Sequence, residues 1–349
     1  MKGEINLNTN KEQVIDDGKY RKYTQSQIID NTISCLLAPK KIDELGNAIV
    51  EIENSSASFT LVVKDYISLG AYITRDLYKY GKLKQSVGKL LDSFIIKMTE
   101  EGFNNHKVTL TLKEYAEIIG KESLGSLRNQ TNNDLKVLNA IVIKNIPKYS
   151  QETYIEAKLC KCSEKIENGK MKFKFNDELF KVLLNKKVSF FHYLPIEALQ
   201  ISEKYTNAYL LYKKILSNCW SNAGTERENI IRIDTLYRYC TTLPRYEKIE
   251  GITQRLKLPL IRDISQIKAF NITYVKDDYN RTNFDEWIKL KIHIHWIEEL
   301  VGLQEQRDGR NKQKELQERA REKALAKYEL SKLKKTGGGS KSKNKEINK

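Results

Sequence analysis

Long apolar runs are missing from this 349-residue sequence. The longest, such as Thr60–Val63 and Ile141–Ile143, extend over a few residues, where a membrane helix needs about 20. The opening stretch MKGEINLNTN has no apolar core of the kind a secretory signal carries, so the expectation is a cytoplasmic protein with no membrane partner. Cysteine is sparse: Cys35, Cys160, Cys162, Cys219 and Cys240 are odd in number and scattered, which argues against a disulfide framework and suits a reducing compartment. Cys160 and Cys162 lie close together with no second Cys or His pair to match, so no structural zinc is expected. There is no Gly-rich phosphate loop and no helix with paired metal-binding histidines; His106 and His192 stand alone. We therefore expect neither an enzyme nor a bound cofactor or metal.

Charge is what the sequence has in excess. The formal net charge is +16, and a surplus of that size attracts phosphates, because binding releases the counterions condensed on nucleic acid. Lysine outnumbers arginine 47 to 14, a ratio that AT-rich coding also produces. Residues 301–349 hold 15 basic and 7 acidic residues, so half of the surplus sits in this tail. The globular part is moderately basic.

Residues 1–58 are polar and read as an N-terminal arm, with a short helix expected over Tyr23–Leu37. From Phe59–Val63, an expected strand, a first domain runs to 175. Leu83, Val87, Leu90, Leu91, Phe94, Ile95 and Met98 recur at helical spacing and predict a helix over Lys82–Glu101. A short strand at Val108–Thr111 leads to Thr111 and Glu114, a capping-box spacing, and to a helix over Leu112–Ile119 that stops at Gly120. The next helix, Glu122–Asn139, has Leu124, Leu127, Thr131, Leu135 and Leu138 on one face and Ser126, Arg128, Asn129, Asn133 and Lys136 on the other. Strands are expected at Ala140–Ile146, Thr153–Cys160 and Lys170–Phe175, the last pair joined through a hairpin turn at Glu167-Asn168-Gly169.

Residues 176–300 repeat the order. Helices are expected over Asp177–Leu184 and Tyr205–Cys219, a strand over Asn229–Ile233, and a helix Thr235–Cys240 capped by Asp234. A second helical segment covers Ile252–Ala269, with Pro259 marking a break or a first turn. Phe270–Lys276 and Trp287–Trp296 are expected to flank a polar loop at Asp277–Asp285. Aligning Leu112 and Tyr115 with Leu236 and Tyr239 gives an offset of 124 and suggests an internal duplication. The fold class expected is α+β: two tandem winged-helix domains, each a helix-turn-helix with a β-hairpin wing. Residues 301–349 should form a basic tail, partly helical over Leu303–Lys335 and flexible beyond.

In a winged helix the second helix of the helix-turn-helix enters the major groove, where base edges carry a readable donor and acceptor pattern. The candidate DNA-binding residues of the first domain are Arg128, Asn129, Asn133 and Lys136; the competing reading is a merely solvated face. In the second they are Arg245, Arg255, Lys257, Arg262 and Gln266, with Asn280 and Arg281 on the wing. Arg is shaped for bidentate contacts to guanine or phosphate, which favours DNA contact for Arg262; the competing reading is an ordinary exposed ion pair with its neighbour Asp263.

Five stretches carry a family resemblance: VTLTLKEYAEIIGK, LRNQTNNDLKVLNAIVI, KYTNAYLLYKKILSN, IIRIDTLYRYC and LPLIRDISQIKAFNITYV. Over about residues 80–296 the chain resembles the plasmid replication initiators that bind repeated origin sequences through two winged-helix domains. It departs from them at Pro259, which interrupts the second recognition segment. The resemblance implies double-stranded origin repeats as the ligand, opening of adjacent AT-rich DNA, and recruitment of the host replicative helicase or its loader. It also implies that the second domain reads most bases, that the first serves dimerisation or a weaker DNA contact, and that a homodimer represses its own gene.

Two other readings compete. A plasmid or phage winged-helix transcription regulator would use the same contacts. A rolling-circle nickase would hold a divalent metal on His293 and His295, alternate residues of one strand face, with Tyr328 as nucleophile beside Lys332. Against it, Lys289 and Lys291 would repel a metal there, and the remainder reads as helix-turn-helix.

Overall fold

The computed structural model describes residues 19–26, 41–42, 48–52, 59–63, 85–102, 106–147, 154–177, 180, 189–205, 207–240, 251–274 and 283–336. The first elements are strands β1 (Tyr20–Ser26), β2 (Lys41–Ile42), β3 (Ala48–Ile52) and β4 (Phe59–Val63), followed by helix α1 (Gln85–Glu100). Part of the expected N-terminal arm is therefore ordered structure. β1 pairs antiparallel with β10 (Ser189–Pro195), and Tyr23 on it is fully buried. The reading of Tyr23–Leu37 as a helix is overturned at its start, because Tyr23–Ser26 is strand; residues 27–40 lie outside the described set.

Next come β5 (Lys107–Thr111), α2 (Leu112–Ile119) and α3 (Leu124–Ala140). Thr111 Oγ1 accepts from the Glu114 amide at 3.1 Å, and Glu114 Oε2 accepts from the Thr111 amide at 2.8 Å. This reciprocal capping box satisfies two amides that the first helical turn leaves without partners. Gly120 ends α2 in the left-handed region at φ 66°, where a side chain would strain the backbone. The chain continues into β6 (Ile141–Pro147), β7 (Tyr154–Lys158), β8 (Cys160–Cys162) and β9 (Lys170–Phe175).

Two sheets share this segment. One has the order β2-β3-β4-β6-β7 and the other β5-β9-β8. The stretch expected as one strand, Thr153–Cys160, is divided at the fully buried Leu159, whose amide bonds to the Ile141 carbonyl at 2.9 Å. The hairpin turn behaves as its sequence demands: Asn168 and Gly169 both have positive φ, 49° and 72°. Phe94 of α1 stacks on Phe173 of β9 at 4.6 Å, and Val108, Leu110, Met171, Phe173 and Phe175 are buried on that side of the β5-β9-β8 sheet.

After β10 lie α4 (Glu197–Gln200) and α5 (Ala208–Ser221), on which Leu210, Leu211, Ile215 and Trp220 are buried as their spacing predicts. Then come β11 (Ile230–Arg232), α6 (Ile233–Tyr239), a π-helical turn at Thr253–Lys257, and α7 (Leu258–Ile264). β12 (Phe270–Thr273), α8 (Phe284–Trp287) and β13 (Lys291–Trp296) complete the unit, with the sheet order β11-β13-β12. Asp234 lies inside the first turn of α6 and does not cap it; Arg232 holds the cap position. Trp287 belongs to a helical turn that Asn283 caps at 3.0 Å, not to the returning strand. The helix expected over Asp177–Leu184 lies largely outside the described residues.

The same connectivity thus occurs twice: strand, two helices, then two strands, with the last strand in the middle of its sheet. Strand pairing fixes the correspondence. Thr111 faces Lys170 and Arg232 faces Lys291, so both ends of the pairing are offset by 121 and not by 124. Leu112 and Tyr115 therefore match Ile233 and Leu236, all four of them buried.

One polar cluster is sealed inside. Asp92 of α1 is fully buried and accepts from Tyr23 Oη at 2.7 Å, from Tyr209 Oη, and from Lys213 Nζ at 2.8 and 2.9 Å. Burial pushes the Asp92 carboxyl up, and Lys213 pulls against it. The cluster joins β1, α1 and α5, since a buried charge needs its partners in place.

Helix α9 (Leu303–Thr336) ends the described chain. Leu303 is buried, Arg307 pairs with Glu228 at 2.5 Å, and Arg310 donates to the carbonyls of Ser221 and Ala223 at 2.7 and 2.9 Å, closing the end of α5. Residues 311–323 are exposed. Among the described residues no helix is long and apolar enough to cross a membrane.

Candidate nucleic-acid interface

Helix α3 is held from beneath. Leu127, Thr131, Asp134, Leu135, Val137 and Leu138 are buried, and Ser86 Oγ donates to Asp134 Oδ1 at 3.0 Å. Asn132 Oδ1 accepts from the Ile166 amide at 2.8 Å. Asn139 makes two bonds to Cys162, accepting from its amide at 2.6 Å and donating to its carbonyl at 3.2 Å. Sequence reasoning missed both asparagines, which lock the helix to the hairpin β8–β9. Leu124, expected on the buried face, is 43% exposed because it is the first residue of the helix and overhangs the core.

Of the candidate residues on α3, Arg128, Asn129 and Lys136 are exposed and Asn133 is half-buried. They share the side opposite the core face, so the helix offers a cationic and amide surface of the composition that groove contacts require.

The second unit departs further from expectation. Pro259 sits in the first turn of α7, has no amide hydrogen, and cannot bond the Arg255 carbonyl. The turn before it widens, and the Leu258 amide bonds to the Thr253 carbonyl, five residues back. The extra residue shifts the phase of the helix. Lys257 is drawn to 2% exposure against the Trp287 ring, 5.9 Å from its centroid, while Leu258 turns out to 48% exposure. Burial lowers the Lys257 pKa. Lys257 is therefore no groove contact, which corrects the sequence reading; Arg255 remains exposed.

Arg262 donates through Nε and Nη2 to the same oxygen of Asp263, at 3.0 and 2.8 Å, and its guanidinium lies 6.0 Å from the Tyr205 ring centroid. Asp263 is fully buried and also accepts from the Asn207 amide and Nδ2 at 3.2 and 2.9 Å. The neighbouring ion pair weighed from the sequence is thus what forms, although the Arg262 side chain keeps 58% exposure. Gln266 is half-buried and donates to the Arg262 carbonyl at 3.4 Å. Arg245, Asn280 and Arg281 lie outside the described residues.

His293 and His295 alternate with buried Ile292 and Ile294 on β13, both exposed, and His295 Nε2 bonds to Thr273 Oγ1 at 2.8 Å. Among the described residues no group of three or more His, Cys, Asp or Glu side chains is placed to hold a metal ion. The side chain of Tyr328 lies outside the described set.

A search of the curated proteins finds no match. Among solved structures, the chain is similar to selenomethionine derivatives of domains 2 and 3 of RctB, with 12% identity and a TM-score of 0.46, over 78% of this chain and 99% of that one. A second crystal structure of RctB domains 2–3 is 11% identical with a TM-score of 0.38, over 77% of this chain and 96% of that one. Residues 49–213, from β3 into α5, match the family model described as Initiator Replication protein, WH1.

Proposed function

We propose that this protein is a replication initiator, built from tandem winged-helix units, that binds repeated duplex sequences at an origin and reads them with α3 and with the helical segment 253–264. The observation that carries this reading is the recurrence of one unit at an offset of 121, each copy setting a second helix beside a hairpin. Arg128, Asn129 and Lys136 in one copy and Arg255 in the other are exposed where base or phosphate contacts would be made. Bound copies would open the adjacent AT-rich DNA and recruit the host replicative helicase or its loader. A paired form would repress the gene from the same repeats.

Selection from a random duplex library by the full chain tests this. A repeated consensus should emerge, and Arg255→Ala should weaken binding to it by about 1–3 kcal/mol if that side chain reads a base. Enrichment of no sequence would overturn the reading. Permanganate reactivity of AT-rich DNA beside the bound repeats separates an initiator from a regulator, since a regulator leaves the duplex closed.

A further inference from the structure

The β5-β9-β8 sheet has two unlike faces. One packs on α1 and α3; the other carries Lys107, Lys161, Lys170, Lys172 and Lys174, with Thr109 and Thr111. Lys107, Lys174 and Lys161 stand directly opposite one another on the three strands, and Lys170 and Lys172 continue the row along β9. Like charges opposed across a sheet repel. Lys174 is offset by Asp177 at 3.3 Å, while Lys107, Lys161, Lys170 and Lys172 are exposed. The other carboxylates near this face are Glu164 and Glu167 in the hairpin loop.

We propose that this outer face is a second nucleic-acid surface, one that grips the phosphate backbone of a duplex on the opposite side of the sheet from α3. The repeated unit supplies an internal control. The positions matching Lys161, Lys172 and Lys174 in the second unit are Asn271, His293 and His295, and only Lys291 repeats a lysine, at the position of Lys170. The lysine row is therefore a property of this face, not of the unit's fold or of a lysine-rich composition.

Geometry selects the ligand. Alternate residues of a strand stand about 6.7 Å apart and neighbouring strands about 4.8 Å apart, a grid suited to successive phosphates. No aromatic side chain lies among these outward positions, so the face lacks the stacking platform that single strands use. A backbone contact positions a duplex without reading it. The surface therefore acts on any sequence, and a duplex held by α3 would need to bend, or a second segment to join it, for both to be engaged.

The test compares K161Q/K170Q/K172Q with K22Q/K204Q/K268Q, which removes the same charge from exposed sites elsewhere, in the full chain with an arbitrary-sequence duplex. The sheet variant should lower the slope of log affinity against log salt by roughly 2–3, the control by less than one, and K161R/K170R/K172R should keep the parent slope. Because the side chains are exposed, the sheet variant should melt no lower than the parent. Equal slopes for the sheet and control variants would overturn the proposal. So would an unchanged duplex affinity with lost binding to polyglutamate or to phosphatidylserine vesicles, which would assign the face to another polyanion. Failure of the helix reading looks different: Arg128→Ala and Arg255→Ala would then leave the preference between sequences untouched, whatever the sheet variant does.

Discussion

Glu114 shows how one side chain can tie three pieces of chain together. It closes the capping box with Thr111 and accepts from Lys97 of α1 at 2.9 Å. Burial works to raise its pKa, but the Thr111 amide and hydroxyl and the Lys97 ammonium outweigh that and bring it to about 2. A carboxyl depressed in the folded state adds stability above its unfolded value of 4.5, and that stability fades as pH falls toward 2. Its side chain is 38% exposed, so solvent screens the gain. Glu114→Gln should cost about 1 kcal/mol at pH 7 and flatten the acid side of the stability profile between pH 4.5 and 2, measured by urea unfolding at several pH values. This residue was legible in the sequence, because a capping box is a local spacing. The buried cluster of Asp92 with Tyr23, Tyr209 and Lys213 was not: its members are up to 190 residues apart, and nothing local marks Lys213 as interior. Lys257 misled for a related reason, since its fate depends on the phase change that Pro259 forces on the helix.

At the scale of elements, α2 was read to the residue and α3 to within two, because both are amphipathic and bounded by clear start or stop residues. The correspondence between the repeats was read three residues out. Apolar positions recur at three and four residues on a helix, so a shift of three keeps the pattern in phase, and only the partners of Thr111 and Arg232 resolve it. Sheet membership was equally hidden: β7 and β8 are adjacent in sequence, yet they pair with different neighbours. One amide side chain, Asn139, ties α3 to β8 with a pair of bonds. Asn139→Ala leaves the Cys162 amide without its partner and should destabilise the protein by about 1–3 kcal/mol. Amide exchange should then quicken in β8 and β9 before it does in α5; uniform exchange across both would refute this role for Asn139.

For the whole molecule, one buried core runs through the described residues from Tyr23 to Leu303, and α9 continues beyond it with residues 311–323 exposed. Arg307 and Arg310 anchor α9, and the residues that follow, 311–349, hold 13 basic and 5 acidic side chains, half of the net +16. A chain ending at Arg310 should melt like the parent, bind arbitrary duplex more weakly, and keep its preference among sequences; loss of that preference would place readout in the tail. A chain ending at Gly302 should melt lower, because it removes buried Leu303 and strips Glu228 of the guanidinium that holds its carboxyl below the usual range.

The length of that projecting helix sets a distance scale. Residues 311–336 continue α9 beyond its anchor and, at 1.5 Å per residue, extend for about 39 Å. One turn of B-form duplex is about 34–36 Å. Copies seated on sites phased by whole turns would each hold this rod toward the same side of the duplex, within reach of the backbone beneath the next copy, whereas half-turn phasing would point successive rods to opposite sides.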